Sequence, residues 1–206
     1  MQIPIAIHFA TTNGGKILEI ERICANLPVQ NKVSVAKFDI STLEEPEENG
    51  LTFPANSEIK FAYYEQFSPK LEKNNFLIAE DSGFEVHALE GFPSIYSARF
   101  LKQFKTKKEA FLEIKNMLEE KNLSTESQSA SFVCDICTRI NGEIKHFYGT
   151  VEGTISFSNI EDEGFGYDPI FLPTNSNQTF AQMNGVEKDI TSHRSQAFSQ
   201  FLQYIS

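Results

Sequence analysis

The sequence predicts an α/β protein with a central mixed β-sheet flanked by helices. Three observations carry this reading. Strand-like and helix-like segments alternate through the first half. Asn141-Gly142, a strong two-residue hairpin signal, joins two β-rich runs in the second half. No internal repeat or low-complexity tract interrupts the 206 residues. Alternation favours parallel strands and the hairpin adds an antiparallel pair, so the sheet is mixed.

Residues 3–9 form a β-rich opening run, from Ile3 to Phe9, closed by the turn cluster Thr11-Thr12-Asn13-Gly14-Gly15. A helix follows over 16–27, with Ile17, Ile20, Ile23, Cys24 and Leu27 recurring at three and four. Residues 33–40 return to strand, and 39–53, rich in Glu and Pro, read as a long loop of the kind that often carries function. Pro54 suits the first turn of a helix reaching about Phe67. A short buried strand over 75–79 is expected to end in an acidic turn, Glu80-Asp81-Ser82-Gly83, with another strand over 84–89. The helix predicted over 107–121 buries Ala110, Phe111, Ile114, Met117 and Leu118. Residues 122–128 are a polar connector too short to divide independent domains, and 129–140 with 143–151 are the hairpin strands. Ser192 caps a last helix whose core stripe is Ala197, Phe198, Phe201, Leu202 and Ile205. We read residues 1–206 as one domain, long enough for a single core or for two lobes sharing a cleft.

A formal charge of −10 argues against polymeric nucleic acid as partner, which calls for a basic face. A small phosphorylated ligand needs only a local cation cluster. Three cysteines are no disulfide framework and suit a reducing, cytoplasmic setting. Cys134-x-x-Cys137 lies in a strand, where residues three apart face opposite ways, so it reads as two buried thiols and not as a metal or redox motif. No segment approaches the roughly 18 apolar residues of a membrane span.

Five places carry candidate chemistry. Strand, then Thr11, Thr12, Asn13, Gly14, Gly15 and Lys16, then helix is a geometry that can hold a phosphate on turn N–H groups and the helix dipole, though an ordinary glycine turn fits it equally. It is no Walker loop, since Ile17 stands where Ser or Thr would hold magnesium. Glu80 and Asp81 at a strand end suit a magnesium ion, or a solvated turn. Glu44, Glu45, Glu47 and Glu48 offer a further ligand or form a surface charge run. In Gly164-Phe165-Gly166-Tyr167-Asp168-Pro169 two aromatics flank a glycine, and Tyr167 sits less comfortably as core there. His193 and Arg194 in the first turn of the last helix oppose its dipole, a cost of a few tenths of a kcal/mol that an anion there would reverse. His87 and His146 read as isolated surface or hairpin residues.

These residues resemble, in order and over nearly the whole chain, the inosine triphosphate pyrophosphatase family. The matching pieces are Thr11-x-Asn13-x-x-Lys16, the Glu48 to Phe53 stretch with Asn56 and Lys60, Asp81-Ser82-Gly83, and Gly91-x-Pro93-x-x-Tyr96-Ser97-Ala98-Arg99. They continue with Gly149-Thr150-Val151-Glu152-Gly153, the run from Gly164 to Phe171, Glu187-Lys188 and Ser192-His193-Arg194.

The resemblance implies a two-lobed α/β subunit with a substrate cleft, a homodimer, and Mg2+-dependent hydrolysis of the non-standard purine triphosphates ITP, dITP and XTP to monophosphate and pyrophosphate. It implies Asp81 as metal ligand and water-activating base, and Glu48 as second metal ligand. Lys16 and Lys60 would neutralise the triphosphate together with the turn from Thr11, and Ser82 would touch substrate. Phe165, Gly166 and Tyr167 would hold the base, with Asp168, Lys188, His193 and Arg194 completing the pocket. Alternatives are a pyrophosphatase for other modified nucleotides and a nucleotide sensor without turnover. Five positions depart from the family pattern: Thr12 and Ser94 replace glycines, Pro54-Ala55 replaces an acidic pair, and Glu80 stands where bacterial members often have Asp.

Overall fold

The computed structural model describes residues 4–26, 33–40, 42–71, 74–158, 160 and 164–205. Strands β1 (Ile5–Phe9), β2 (Val33–Lys37), β3 (Asn75–Val86), β4 (Pro93–Ser94), β5 (Ser129–Ile140), β6 (Glu143–Ile155) and β7 (Phe171–Pro173) make one mixed sheet. Its order is β2-β1-β3-β5-β6-β7, with β4 beside β3. β1 runs parallel to both β2 and β3, whereas β4 on β3 and β7 on β6 are antiparallel. Six α-helices complete the described fold: α1 (Gly14–Asn26), α2 (Phe53–Glu65), α3 (Ser97–Leu101), α4 (Lys107–Glu120), α5 (Gly185–Thr191) and α6 (His193–Ile205). The chain divides into two compact units, one made of 1–81, 134–149 and 192–206, the other of 82–133 and 150–191.

In the first unit the period-two alternation of β3 sorts the core into two layers. Ile78 packs with Ile20 and Ile23 of α1 and with Ala197, Phe198, Phe201 and Leu202 of α6. Leu77 and Ala79, on the opposite face, pack with Phe61 and Tyr64 of α2. The predicted stripes of α1 and α6 are therefore the buried ones; Ile3 and Leu27, placed in the first strand and helix by the sequence, lie outside the described residues. Thr52 caps α2 by accepting the Ala55 N–H at 3.2 Å, which puts Pro54 in the first turn as expected. Cys134 and Cys137 fall into different layers, as strand geometry requires, and burial pushes both thiols up. Asn141 and Gly142 both take positive φ (53° and 87°), the pair of conformations a type I′ turn demands.

Gly149 is required by packing. A Cβ there would stand 2.0 Å from the carbonyl oxygen of His193 and 2.8 Å from the amide of Ala197, so only glycine lets β6 touch the first turn of α6.

The second unit is built on aromatic rings. Phe84, Phe111, Phe132, Tyr167, Phe171 and Phe180 share one cluster, which Ala110, Ile114 and Leu118 of α4 close from the helix side. Phe84 and Phe132 lie 5.1 Å apart and Phe132 and Phe171 4.9 Å, in tilted and edge-on arrangements that aromatic quadrupoles favour.

One expectation is corrected here. Glu80-Asp81-Ser82-Gly83 is not a turn: β3 runs unbroken for 12 residues through it, and the strand expected over 84–89 is the end of β3 followed by a single 3-10 turn, His87–Leu89. Two carboxylates in a row looked like a solvated turn because local propensity disfavours acids in strands. Tertiary ion pairs on both faces override that propensity.

Candidate active site

Because β3 is extended at Glu80 and Asp81, their side chains point to opposite faces of the sheet, and each meets the helices already packed there. Glu80 follows Ile78 toward α1 and α6. Asp81 follows Ala79 toward α2.

On the α1/α6 face, Arg194 donates through Nε and Nη2 to the two oxygens of Glu80, at 2.9 and 2.8 Å, the fork geometry of a bidentate pair. Its Nη1 donates to Glu19 Oε2 at 2.6 Å. Lys16 Nζ reaches Glu80 Oε1 at 3.1 Å. Arg194 is 1 % exposed, Glu80 3 % and Glu19 3 %, so these are desolvated charges. Burial resists the charge on Glu80, but Arg194 and then Lys16 outweigh it and hold the carboxyl well below the usual range. Arg194, whose charge burial also opposes, is held further up by Glu19 and Glu80. The anion that offsets the cost of Arg194 at a helix N-terminus is thus protein carboxylate. Glu19 was missed in the sequence, although Lys16-x-x-Glu19 places it on the same helix face as Lys16.

On the α2 face, Lys60 Nζ donates to Asp81 Oδ1 at 2.7 Å and to the carbonyl of Glu80 at 3.1 Å, and lies 2.7 Å from Glu48 Oε1. Burial works against the ammonium, yet Asp81 and Glu48 push it up. Asp81 is pushed up by burial, which Lys60 only partly offsets. Its second oxygen, Oδ2, is buried and has no protein partner. Among the described residues no three His, Cys, Asp or Glu converge as a ready-made metal cage. A magnesium site does not need one: it takes one or two carboxylates plus waters and phosphate oxygens. The open Oδ2 of Asp81 and the partly exposed Glu48 fit that donor set.

At the head of α1, Asn13 Oδ1 accepts the N–H groups of Gly15 (3.0 Å) and Lys16 (3.3 Å), and Thr11 Oγ1 accepts that of Asn13 (3.1 Å). Turn side chains therefore already bond three of the amides that the phosphate reading assigned to a ligand. Thr12, the departure from glycine, turns outward and donates to Glu45 Oε1 at 2.9 Å. Nothing lies within 4 Å of a Cβ built on Gly14.

In the second unit, Ser82 continues β3, half-buried. Gly164 and Gly166 take φ of +110° and +53°, conformations that suit glycine and shape the loop around Phe165. Phe165 is 39 % exposed and Lys188 Nζ stands 5.7 Å from its ring centre. Lys188 donates to Asp168 Oδ2 at 2.6 Å. Lys188 comes from α5, an element the sequence reading did not place. Its signal is a reciprocal cap: Asn184 Oδ1 accepts the Glu187 N–H at 3.0 Å and Glu187 Oε2 accepts the Asn184 N–H at 3.1 Å.

Tyr167 is corrected from a base-holding residue to a core residue. It is 2 % exposed, stacks on Phe84 at 4.9 Å, and donates its hydroxyl to the carbonyl of Ser97 at 2.9 Å. A phenol that is satisfied inside a core has no face left for a ligand. His146 also departs from expectation. It is not isolated: its Nδ1 lies 2.8 Å from the fully buried Asp135, which Ser57 of α2 also bonds. His193, in the first turn of α6, is 4 % exposed, and Ser192 Oγ caps that helix through the Ser195 N–H at 3.1 Å.

A sequence profile of the Ham1 family matches residues 7–204. The chain belongs to the Ham1 family. It is 36 % identical over 194 residues to a dITP/XTP pyrophosphatase of an Exiguobacterium species (strain AT1b), covering 91 % of this chain and 90 % of that relative. The Ham1 protein of Coxiella burnetii superposes with a TM-score of 0.78 at 28 % identity, with 98 % of both chains covered. The Ham1 protein of Staphylococcus aureus gives 0.74 at 34 % identity, with 97 % of both covered. A Ham1 assignment fits the ordered motif set read from the sequence. No helix among the described residues is long and apolar enough to cross a membrane.

Proposed function

We propose that this Ham1 chain is a nucleoside triphosphate pyrophosphatase that hydrolyses non-standard purine nucleotides, ITP, dITP and XTP, to the monophosphate and pyrophosphate. The observation that carries the reading is the Lys60–Asp81–Glu48 cluster: a buried carboxylate with one oxygen on a lysine and the other open. A protein that only senses a nucleotide has no need of a buried carboxylate poised to accept a proton. The dITP/XTP pyrophosphatases among its relatives support the same reading.

Asp81 and Glu48 would hold a magnesium ion, which when bound supplies charge neutralisation at the phosphates. Asp81 Oδ2, the oxygen that Lys60 leaves uncommitted, accepts a proton from the attacking water. Lys60 and Lys16 balance the negative charge that builds as the α-phosphorus is attacked. Phe165 offers its exposed face to the purine, and the Asp168–Lys188 pair stiffens that loop. Inosine and xanthine carry a 6-keto acceptor, to which His193 at the head of α6 is assigned, Arg194 beside it being held on Glu80 and Glu19. Adenine presents a 6-amino donor to that donor. A missing charge-assisted bond costs about 1.5–3 kcal/mol, and sites that leave polar groups unpaired reject analogues by up to about 10^4-fold. Operation as a cytoplasmic homodimer belongs to the same proposal.

Product identity tests it. With ITP and magnesium, the expected products are inosine monophosphate and pyrophosphate in equal amounts; inosine diphosphate with orthophosphate would place the attack at the γ-phosphorus and refute the assignment.

A further inference from the structure

Glu48 lies in a stretch without regular secondary structure, residues 42–52, yet its carboxylate meets Lys60 at 2.7 Å. What fixes it is visible two residues on. The Gly50 N–H donates to Asn56 Oδ1 at 2.9 Å. Asn56 is fully buried and stands on α2 one turn before Lys60, so both project from one face of that helix. Gly50 is not at positive φ, so its backbone conformation does not require glycine. Its approach does: a Cβ would lie 2.7 Å from Asn56 Oδ1, 2.8 Å from Ala55 Cβ and 3.0 Å from the Asn56 amide. The other amide atom of Asn56, Nδ2, is buried with no protein partner. Leaving a buried donor unmade is unfavourable, and such groups concentrate where a site constrains the side chain.

We propose that Asn56 is a positioning residue: by clipping the Gly50 amide it holds the Glu48 carboxylate beside Lys60 and Asp81, where a divalent ion is to be bound. The inference rests on the reading of Glu48 as a metal ligand. Outer groups that orient ligands typically change metal affinity by about 10- to 100-fold when removed. The clip joins a loop to a helix through one contact, so either side of it can be broken.

The test uses Asn56→Ala, Gly50→Ala and the double variant. Two quantities are read: the magnesium concentration giving half-maximal pyrophosphate release from ITP, and calorimetric binding of Mn2+ to the protein alone. The expected result is a rise of about 10-fold or more in half-saturating magnesium for each single variant, with kcat at saturating magnesium within a few-fold of wild type. Mn2+ binding weakens in parallel, and the double variant is no worse than the worse single one, because both break the same contact. Half-saturation and Mn2+ affinity unchanged from wild type, or effects that simply add, would overturn the proposal. Should Asn56→Ala fail to fold, Gly50→Ala decides alone. A wild-type enzyme that works equally in EDTA would defeat the reading of Glu48 itself, and this inference with it; metal dependence shared equally by wild type and variants defeats only this inference.

Discussion

An Asp81→Asn protein is expected to fold as well as wild type and to hydrolyse ITP about 10^2- to 10^4-fold more slowly, the range a positioned acid or base contributes. The two halves of this expectation have one cause. Burial pushes the Asp81 carboxyl up, which means the folded state holds its charged form at a disadvantage. An amide removes that charge, still accepts from Lys60 through Oδ1, and leaves the geometry of β3 unchanged. Stability therefore stays level or rises slightly, the usual trade at a functional site. Activity goes because Oδ2, the open oxygen, becomes an amide nitrogen that neither accepts a proton nor ligates a cation. Kinetics with ITP and a thermal melt in metal-free buffer check both halves. A large loss of stability with activity retained would reverse the assignment.

Arg194→Leu is the opposite case, in which stability carries the effect. The substitution leaves Glu80 and Glu19, each 3 % exposed, as buried carboxylates without their guanidinium. Breaking a buried pair from one side costs about 3–5 kcal/mol. For a chain of this size each kcal/mol moves the melting midpoint by roughly 2–4 °C, so a fall of about 10 °C is expected. The pH dependence follows from Glu80. Its folded value lies well below the unfolded one, so its contribution is fully present above an unfolded value of about 4.3 and is lost as the pH drops toward the folded value. The gap between wild type and Arg194→Leu should therefore be widest near neutrality and narrow as the solution is acidified below about pH 4. Thermal melts of both proteins in metal-free buffer at pH 7, 5 and 3.5 measure it. A gap independent of pH would mean that the network is not ionic in origin.

The amphipathic helices and the hairpin were legible because periodicity reports burial directly. The stripes at Ile20 and Ile23, at Ala110 to Leu118 and at Phe198 to Leu202 are the buried faces of α1, α4 and α6, and Asn141-Gly142 sits at the tip of the hairpin. Lys16, Lys60, Asp81 and Glu48 were named through the ordered family-like motifs, and the structure brings Lys60, Asp81 and Glu48 together on the α2 face. What stayed hidden is long-range. Glu80-Asp81 reads locally as a turn, because nothing near it in sequence announces an arginine 114 positions away. Tyr167 reads as a loop aromatic because the Phe84 ring that stacks on it and the Ser97 carbonyl that accepts its hydroxyl are distant in the chain. Asn56 carried a motif but no role until the approach of Gly50 was visible. In each case pairing across the fold overrides a local preference, which a single sequence does not display.

The most direct test of the central claim is the rate of pyrophosphate release from ITP, XTP and dITP against ATP and GTP, with magnesium and again with EDTA. The account predicts fast release from the inosine and xanthine nucleotides, near silence with ATP, whose 6-amino group mismatches the donor, and loss of release in EDTA. Equal rates with ATP and ITP would contradict the assignment of His193 to a 6-keto purine, and no release from any of the five would contradict the enzyme itself.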